Sequence, residues 1–375
     1  MPKIIITGDL FPVPSNFEIF SKGDIDTLFG DKIIGLFESA DYRICNLEGA
    51  LTDNPGFCEK TGPTLYAPIS TINAYKKLGI NCCLLANNHI TDAGPIGVND
   101  TVKTLEMVGI HQLGAGLDED SIPTHHILKI GTYNICLYNV AETMYNAPDE
   151  HFPGANLYDE YITCKEIERL KKECDYLIVI YHGGAEKFRY PTPQTRKRFH
   201  RMVDSGANMV LSQHTHCVGS EEYYRGAYLL YGQGNFLFRS FNNEFTDTGI
   251  FLEIIFEKEV VIKKHLVRAI SDKVRYDDYQ DFTEFDIRSS LISDDKRIKE
   301  LFDDYCLKEL PLYLGAFKGR FFGYRVFRKF FPTLYNKYLL HGYTRQQLLF
   351  SLHTLRSEQN REIAINGIKT WLKVN

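Results

Sequence analysis

The chain has 375 residues, of which 44% are hydrophobic and 24% charged, and a formal net charge of −5. This is the composition of an ordinary globular protein; it excludes a disordered, fibrous or strongly basic nucleic-acid-binding chain. No apolar run approaches the roughly 20 residues of a spanning helix, and the three isoleucines near the N-terminus are too few for a signal-peptide core, so a cytoplasmic location is expected.

Taken in chain order, residues 3–7 read as a buried strand ending at Gly8-Asp9. Helix-like apolar spacing follows over 25–39, then a strand over 42–46 that ends at Asn46-Leu47-Glu48. Residues 70–78 read as helix and 81–86 as a buried strand running into Asn87-Asn88-His89. A helix over 97–108 stops at Gly109, a C-cap residue. Segments 124–130 and 133–140 flank Gly131-Thr132 as a hairpin. A helix over 162–173 precedes the apolar strand 176–181, which delivers Tyr181-His182-Gly183-Gly184. Residues 193–204 are helical, with Pro193 at the start. Strands at 208–211 and 227–231 lead to Gln213-His214-Thr215-His216 and to Gly232-Gln233-Gly234-Asn235-Phe236. Two alternating strands, 249–256 and 260–267, close an α/β pattern. The acidic, irregular stretch 271–286 reads as a linker, giving a first domain over 1–270 and a mainly helical extension over 271–375.

The nine cysteines form no CxxC pair and no regular framework, so all are read as reduced. Cys82 and Cys83 are adjacent in a strand and should point to opposite faces.

Five polar clusters therefore sit at or just past strand ends, where α/β proteins gather catalytic groups. Read singly, Asp9 and Asn87-Asn88 fit turns, Glu48 a solvated loop acid, and His182 a core histidine. Asp92 and Glu186 fit surface acids, Asn235 a turn residue, and Glu222 beside Glu221 a solvated charge pair. The pair His214 and His216, two residues apart on an irregular loop, favours a metal. Together the clusters supply carboxylate, amide and imidazole ligands, a set suited to one or two divalent ions such as Mn, Zn or Fe rather than to a thiolate site.

In this order the clusters resemble the bacterial CapA family of capsule and poly-γ-glutamate biosynthesis, whose core is similar to calcineurin-like metallophosphatases. The resemblance rests on Thr7-Gly8-Asp9, Asn46-Leu47-Glu48, Tyr66-Ala67-Pro68, Asn87-Asn88-His89 with Asp92 and Gly94, His182-Gly183-Gly184-Ala185-Glu186, Gln213-His214-Thr215-His216 and Tyr231 to Phe236, across roughly residues 3–240. It implies a four-layer α/β/β/α sandwich with a helical C-terminal extension. It also implies that Asp9 and His216 hold a first metal, that Glu48 bridges, and that Asn88, His182 and His214 complete a second site. His89 would face the substrate as general acid or oxyanion partner, oriented by Asp92; Glu186, Arg189, Glu222 and Asn235 would line or brace the substrate site. Phe11 stands where the phosphatases carry a histidine, which leaves the first site one ligand fewer. The implied function is a metal-dependent hydrolase in capsule, polyglutamate or surface-polysaccharide biosynthesis, a metal-bound hydroxide attacking a phosphoester or an amide of an anionic polymer or phosphorylated precursor. The alternative is a non-catalytic polymer-binding or assembly factor that keeps a structural metal site.

Between Leu310 and Ser357 there is no Asp or Glu, while eight Lys and Arg residues from Lys318 to Arg356 interleave with phenylalanines. Such a stretch fits a helical subdomain packed through its aromatics, or a peripheral contact with an anionic membrane through 317–345. Nucleic acid is not an expected partner.

Overall fold

The computed structural model describes residues 1–56, 58–144, 146, 154–238, 243, 245–316 and 344–373. The chain falls into two compact units, Met1–Cys58 with Thr64–Lys299, and Glu59–Pro63 with Glu300–Asn375.

The strands of the first unit begin with β1 (Lys3–Leu10), β2 (Tyr42–Leu47), β3 (Ala50–Leu51), β4 (Tyr66–Ala67), β5 (Cys82–Leu84), β6 (His111–Leu113), β7 (Ala115–Gly116), β8 (His125–Ile130) and β9 (Tyr133–Ala141). They continue with β10 (Gly154–Ala155), β11 (Tyr176–His182), β12 (Met209–Gln213), β13 (Glu221–Tyr224), β14 (Ala227–Leu230), β15 (Asn235–Leu237), β16 (Thr248–Phe256), β17 (Val260–Ile270) and β18 (Lys273–Tyr276). Helices α1 (Phe17–Lys22), α2 (Ile25–Phe29), α3 (Asp31–Glu38), α4 (Ile72–Lys77), α5 (Gly94–Val108), α6 (Glu160–Leu170), α7 (Pro193–Asp204) and α8 (Thr283–Ser290) belong to the same unit. One sheet runs β18-β17-β16-β1-β2-β5-β6, with β15 also paired to β1, and the other runs β13-β14-β12-β11-β9-β8.

Strand periodicity divides the core into layers. Ile4, Ile6, Ile44, Cys82 and Leu84 of the first sheet pack against Leu137, Ile178, Ile180 and Leu211 of the second. Their neighbours Ile5, Cys45 and Cys83 point the other way, onto Phe20, Leu28, Phe29 and Phe37 of α1–α3. The two adjacent cysteines thus take opposite faces, as the strand reading requires. On the outer face of the second sheet, Tyr181 meets Phe199 of α7 edge-on at 5.6 Å, and Phe199 stacks on Tyr231 at 5.0 Å. Helix, sheet, sheet and helix make the four layers. Each fully buried aliphatic side chain contributes about 1.5–3 kcal/mol, so the doubly buried central strands anchor the loops at their ends.

Two departures from the sequence reading have local causes. The helix expected over 25–39 is broken at Gly30, whose φ of 74° and ψ of 158° end α2 and start α3; few residues other than glycine tolerate that backbone. The stretch 271–286 is no linker. Lys273–Tyr276 pairs antiparallel with β17, and Phe285 of α8 enters the core between the sheets. An edge strand with Val274 as its one buried residue carries too little apolar signal to be read from sequence. The first unit accordingly runs past 270, to Lys299.

In the second unit, the part of helix α9 (Asp295–Ala316) from Glu300 onward, with α10 (Arg345–Arg356) and α11 (Glu358–Leu372), buries Phe302, Cys306, Leu310, Ile363 and Ala364. The Tyr313 hydroxyl donates to Asn360 Oδ1 at 3.0 Å. The basic aromatic run expected to contact a membrane, 317–345, lies outside the described residues except for its last two. No described helix is long and apolar enough to cross a membrane.

Candidate metal centre

Asp9, Asn46 and His182 end or nearly end parallel strands, Glu48 and His214 follow directly on such strands, and Asn88 lies in the loop after β5. The register places Asp9 opposite both Asn46 and Asn235. Close packing fixes the residue before Asp9: a Cβ on Gly8 would stand 2.1 Å from the Gly234 carbonyl oxygen. Gln213 ties the two sheets together beside the site, donating to the Thr7 carbonyl at 2.9 Å and to Gln233 Oε1 at 3.0 Å.

Two groups of potential ligand atoms result, each with its atoms within 4.8 Å of one another: Asp9, Glu48 and His216, and Glu48, His182 and His214. Glu48 is common to both. Its Oε1 lies 3.7 Å from His182 Nε2 and 3.6 Å from His216 Nε2. Asn88 Oδ1 is 2.9 Å from His182 Nε2, which puts the amide oxygen at the second group. His214 and His216 adopt positive φ angles of 88° and 51°. Such backbone costs about 1–3 kcal/mol per residue and persists where its surroundings enforce it. Here it turns both rings inward, with centroids 5.9 Å apart.

The surrounding hydrogen bonds orient these groups. Asn46 Nδ2 donates to Asp9 Oδ1 at 2.8 Å. His216 Nδ1 lies 2.9 Å from Asn235 Oδ1, and Asn235 Nδ2 is itself anchored to the Thr246 carbonyl at 2.7 Å. The amide oxygen can only accept, so it holds the proton on Nδ1 and leaves Nε2 facing Glu48. His89 Nδ1 and Asp92 Oδ2 are 2.6 Å apart, and the same carboxylate oxygen accepts from the Leu65 amide at 2.7 Å.

Burial and mutual charge shift the ionisable groups of the site in opposite directions. Burial alone would raise the Asp9 carboxyl, but His216, His182 and the Asn46 amide overrule it and hold it at about 2. Burial, then the nearby Asp9 charge, push Glu48 well above the usual carboxylate range. Burial would lower His216, but the carboxylates of Glu48 and Asp9, with Glu186, raise it to about 10. His182 is driven well below its ordinary value by burial and by the neighbouring His214. Both oxygens of Glu48 are buried with no hydrogen-bond partner. Buried carboxylates in that condition are costly unless a cation meets them, and the donor set of oxygen and imidazole fits divalent Mn, Zn or Fe.

The other expected site residues are distributed unevenly. Glu186 stands at the mouth, its Oε1 4.0 Å from His214 Nε2 and its side chain nearly half exposed. Arg189 lies to one side, its guanidinium 3.9 Å over the Phe245 ring. Phe11 is buried in the helix-side core. Glu222 is not brought to the cluster: its carboxylate is held by Arg196 at 2.8 and 3.2 Å, by His200 at 3.1 Å and by the Tyr231 hydroxyl at 2.8 Å. It therefore fastens α7 to the edge of the second sheet. Glu222→Gln is expected to cost about 1–3 kcal/mol in urea unfolding, because it breaks a part-buried charge network, and to leave cation affinity unchanged in calorimetry.

Two further residues escaped the sequence reading. Glu142, just past β9, accepts from the Gly184 amide at 3.1 Å and so braces the turn after His182. Asn146 donates to the Asn87 carbonyl at 3.1 Å. Both follow a strongly apolar strand, which is the same signal that marked the other clusters.

The sequence profile of the family described as bacterial capsule synthesis protein PGA_cap matches residues 3–240, the segment that carries every ligand atom above. The chain belongs to this family. Among its relatives, the capsule biosynthesis protein CapA of Bacillus anthracis is 26% identical over 245 residues, 62% of this chain and 59% of that protein. The PGA biosynthesis protein CapA of Bacillus subtilis (strain 168) is 25% identical over 207 residues, 54% of each chain. The chain thus spans less than two thirds of the length of either relative. Solved structures similar to this family member include a novel phosphatase from Mycoplasma pneumoniae, with TM-score 0.47, 16% identity and coverage of 76% of this chain and 98% of that one. A putative 5'-nucleotidase from Staphylococcus aureus has TM-score 0.46 and 13% identity, covering 78% of this chain and 58% of that one.

Proposed function

We propose that this family member is a divalent-metal-dependent hydrolase of capsule, polyglutamate or surface-polysaccharide biosynthesis, acting on a phosphoester or amide of an anionic polymer or phosphorylated precursor. The observation that supports this reading best is Glu48, a buried carboxylate without hydrogen bonds, shared by two groups of ligand atoms. Asp9, Glu48 and His216 would hold one cation, and Glu48, Asn88, His182 and His214 a second. Bound cations would supply Lewis-acid chemistry, polarising a substrate oxygen and neutralising charge that develops on it. His89 carries a proton toward the leaving group, with Asp92 fixing its ring through Nδ1. Asn235 and Asn46 hold the His216 and Asp9 side chains in place. Glu142 does the same for the turn that follows His182.

The test is hydrolysis of a chromogenic phosphodiester and of a γ-glutamyl anilide. Turnover that stops with chelator and returns with Mn²⁺ is expected. Tight metal binding with no turnover on either class of substrate would favour the assembly-factor reading instead.

Proton loading gives the metal uptake a defined pH dependence. Without a cation, the Glu48–His216 pair holds a proton that ligation must displace, since both groups are raised, His216 to about 10. Asp9, at about 2, contributes no such change near neutrality. Affinity for Mn²⁺ should therefore rise with pH, by up to about tenfold per unit for each proton displaced, and protons should be released on binding. Calorimetry in buffers of different ionisation enthalpy measures both; affinity flat or falling with pH would contradict the assignment.

A further inference from the structure

Arg288 of α8 lies beyond the family-matched segment 3–240, yet it reaches the loop that carries His214 and His216. Its Nε donates to the Gly219 carbonyl at 3.2 Å. Arg189 approaches the same place from the loop after β11, its guanidinium on the Phe245 ring at 3.9 Å. Phe245 adjoins Thr246, whose carbonyl anchors the Asn235 amide that holds His216. The two arginines are close enough for their charges to act on each other and on the Cys217 thiol, the residue after His216.

Both guanidinium side chains are largely buried, 13% and 12% exposed. One oxygen, Glu284 Oε2, lies between them, 4.0 Å from Arg189 Nη1 and 3.7 Å from Arg288 Nη1. Those distances exceed hydrogen-bond length, and the Glu284 side chain is 80% exposed. A solvated side chain held this loosely contributes little to stability. It marks a place where one anionic oxygen faces both guanidiniums.

We propose that Arg189 and Arg288 form an oxyanion subsite that takes a carboxylate or phosphate group of the substrate, and that Glu284 occupies it until the ligand displaces it. The proposal rests on the hydrolase reading above and deepens it. The metal groups would act on the scissile bond while this pair, on the His216 side, holds a neighbouring anionic group of the same molecule. Two guanidiniums can meet such a group in planar, charge-assisted hydrogen bonds. Burial and the adjacent Arg189 both disfavour the charge on Arg288, so an incoming anion relieves that repulsion.

The experiment uses the full chain, stripped of metal with chelator and dialysed, so that a probe cannot bind through a cation. Inorganic phosphate and glutarate are titrated by calorimetry against wild type, Arg288→Gln and Glu284→Gln. Wild type is expected to bind at least one probe. Arg288→Gln should weaken that binding by about tenfold or more, the loss of a charge-assisted contact, and Glu284→Gln should tighten it a few-fold. Preference for phosphate or for glutarate identifies the ligand's source. Mn²⁺ affinity, measured separately, should be the same in all three proteins, so failure of the subsite and failure of the metal centre are distinguishable. The proposal is overturned if wild type binds neither probe, if Arg288→Gln binds like wild type, or if Glu284→Gln fails to bind more tightly.

Discussion

Glu48→Gln is expected to remove tight uptake of divalent cations altogether while leaving the metal-free protein at least as stable as wild type. The two effects have one cause. Glu48 is fully buried and its oxygens have no hydrogen-bond partner. In the absence of a cation this is a burden, because a buried carboxylate must stay protonated or bear several kcal/mol of lost hydration. Glutamine keeps the shape and discards the burden. It also removes the one charge that both ligand groups share, so neither can hold a cation as before. Loss of an outer hydrogen-bond partner alone costs 10–100-fold in metal affinity; loss of the shared ligand should exceed about 100-fold. Thermal unfolding with and without Mn²⁺ reads both parts. Wild type should gain about 2.7 kcal/mol when Mn²⁺ stands at a hundred times its dissociation constant, and Glu48→Gln should gain nothing. A variant that still gains stability from Mn²⁺ would show that Glu48 is not a ligand.

His89→Asn should leave cation affinity unchanged and lower kcat by about 10²–10⁴, the usual contribution of a positioned general acid. His89 is buried, and its Nδ1 is committed to Asp92 at 2.6 Å. That contact fixes the ring's orientation beside the metal centre. Asp92 also receives the Leu65 amide, so the carboxylate is anchored independently of the imidazole. Asp92→Asn should accordingly lower kcat less than His89→Asn does, since an amide oxygen can still accept from the ring and from Leu65. If His89→Asn changed KM alone and left the pH profile intact, its place as proton carrier would be lost.

Much of this was legible before the fold was known, for a definite reason. The ligand-bearing segments each follow a short, mostly apolar run, and a strand buried on both faces leaves that mark in sequence. That signal drew attention to Asp9, Glu48, Asn88, His182 and His214, while their roles as ligands came from the resemblance to the CapA family rather than from periodicity. What periodicity cannot show is which side chains meet across the sandwich. Glu222 illustrates this: its partners Arg196 and His200 come from α7, more than twenty residues upstream, so the saturated cluster appears only in the fold. Glu142 illustrates the converse, a bracing role fixed by the amide of Gly184 on a neighbouring strand end. Short edge elements were invisible for a third reason. With one buried residue among four, β18 has no alternation to detect.

The most direct measurement is anomalous diffraction at the manganese edge from crystals grown with Mn²⁺. Two peaks are expected, one bounded by Asp9, Glu48 and His216, the other by Glu48, Asn88, His182 and His214, with a Glu48 carboxylate oxygen reaching each. Well-ordered crystals with no peak touching Glu48 would contradict the account.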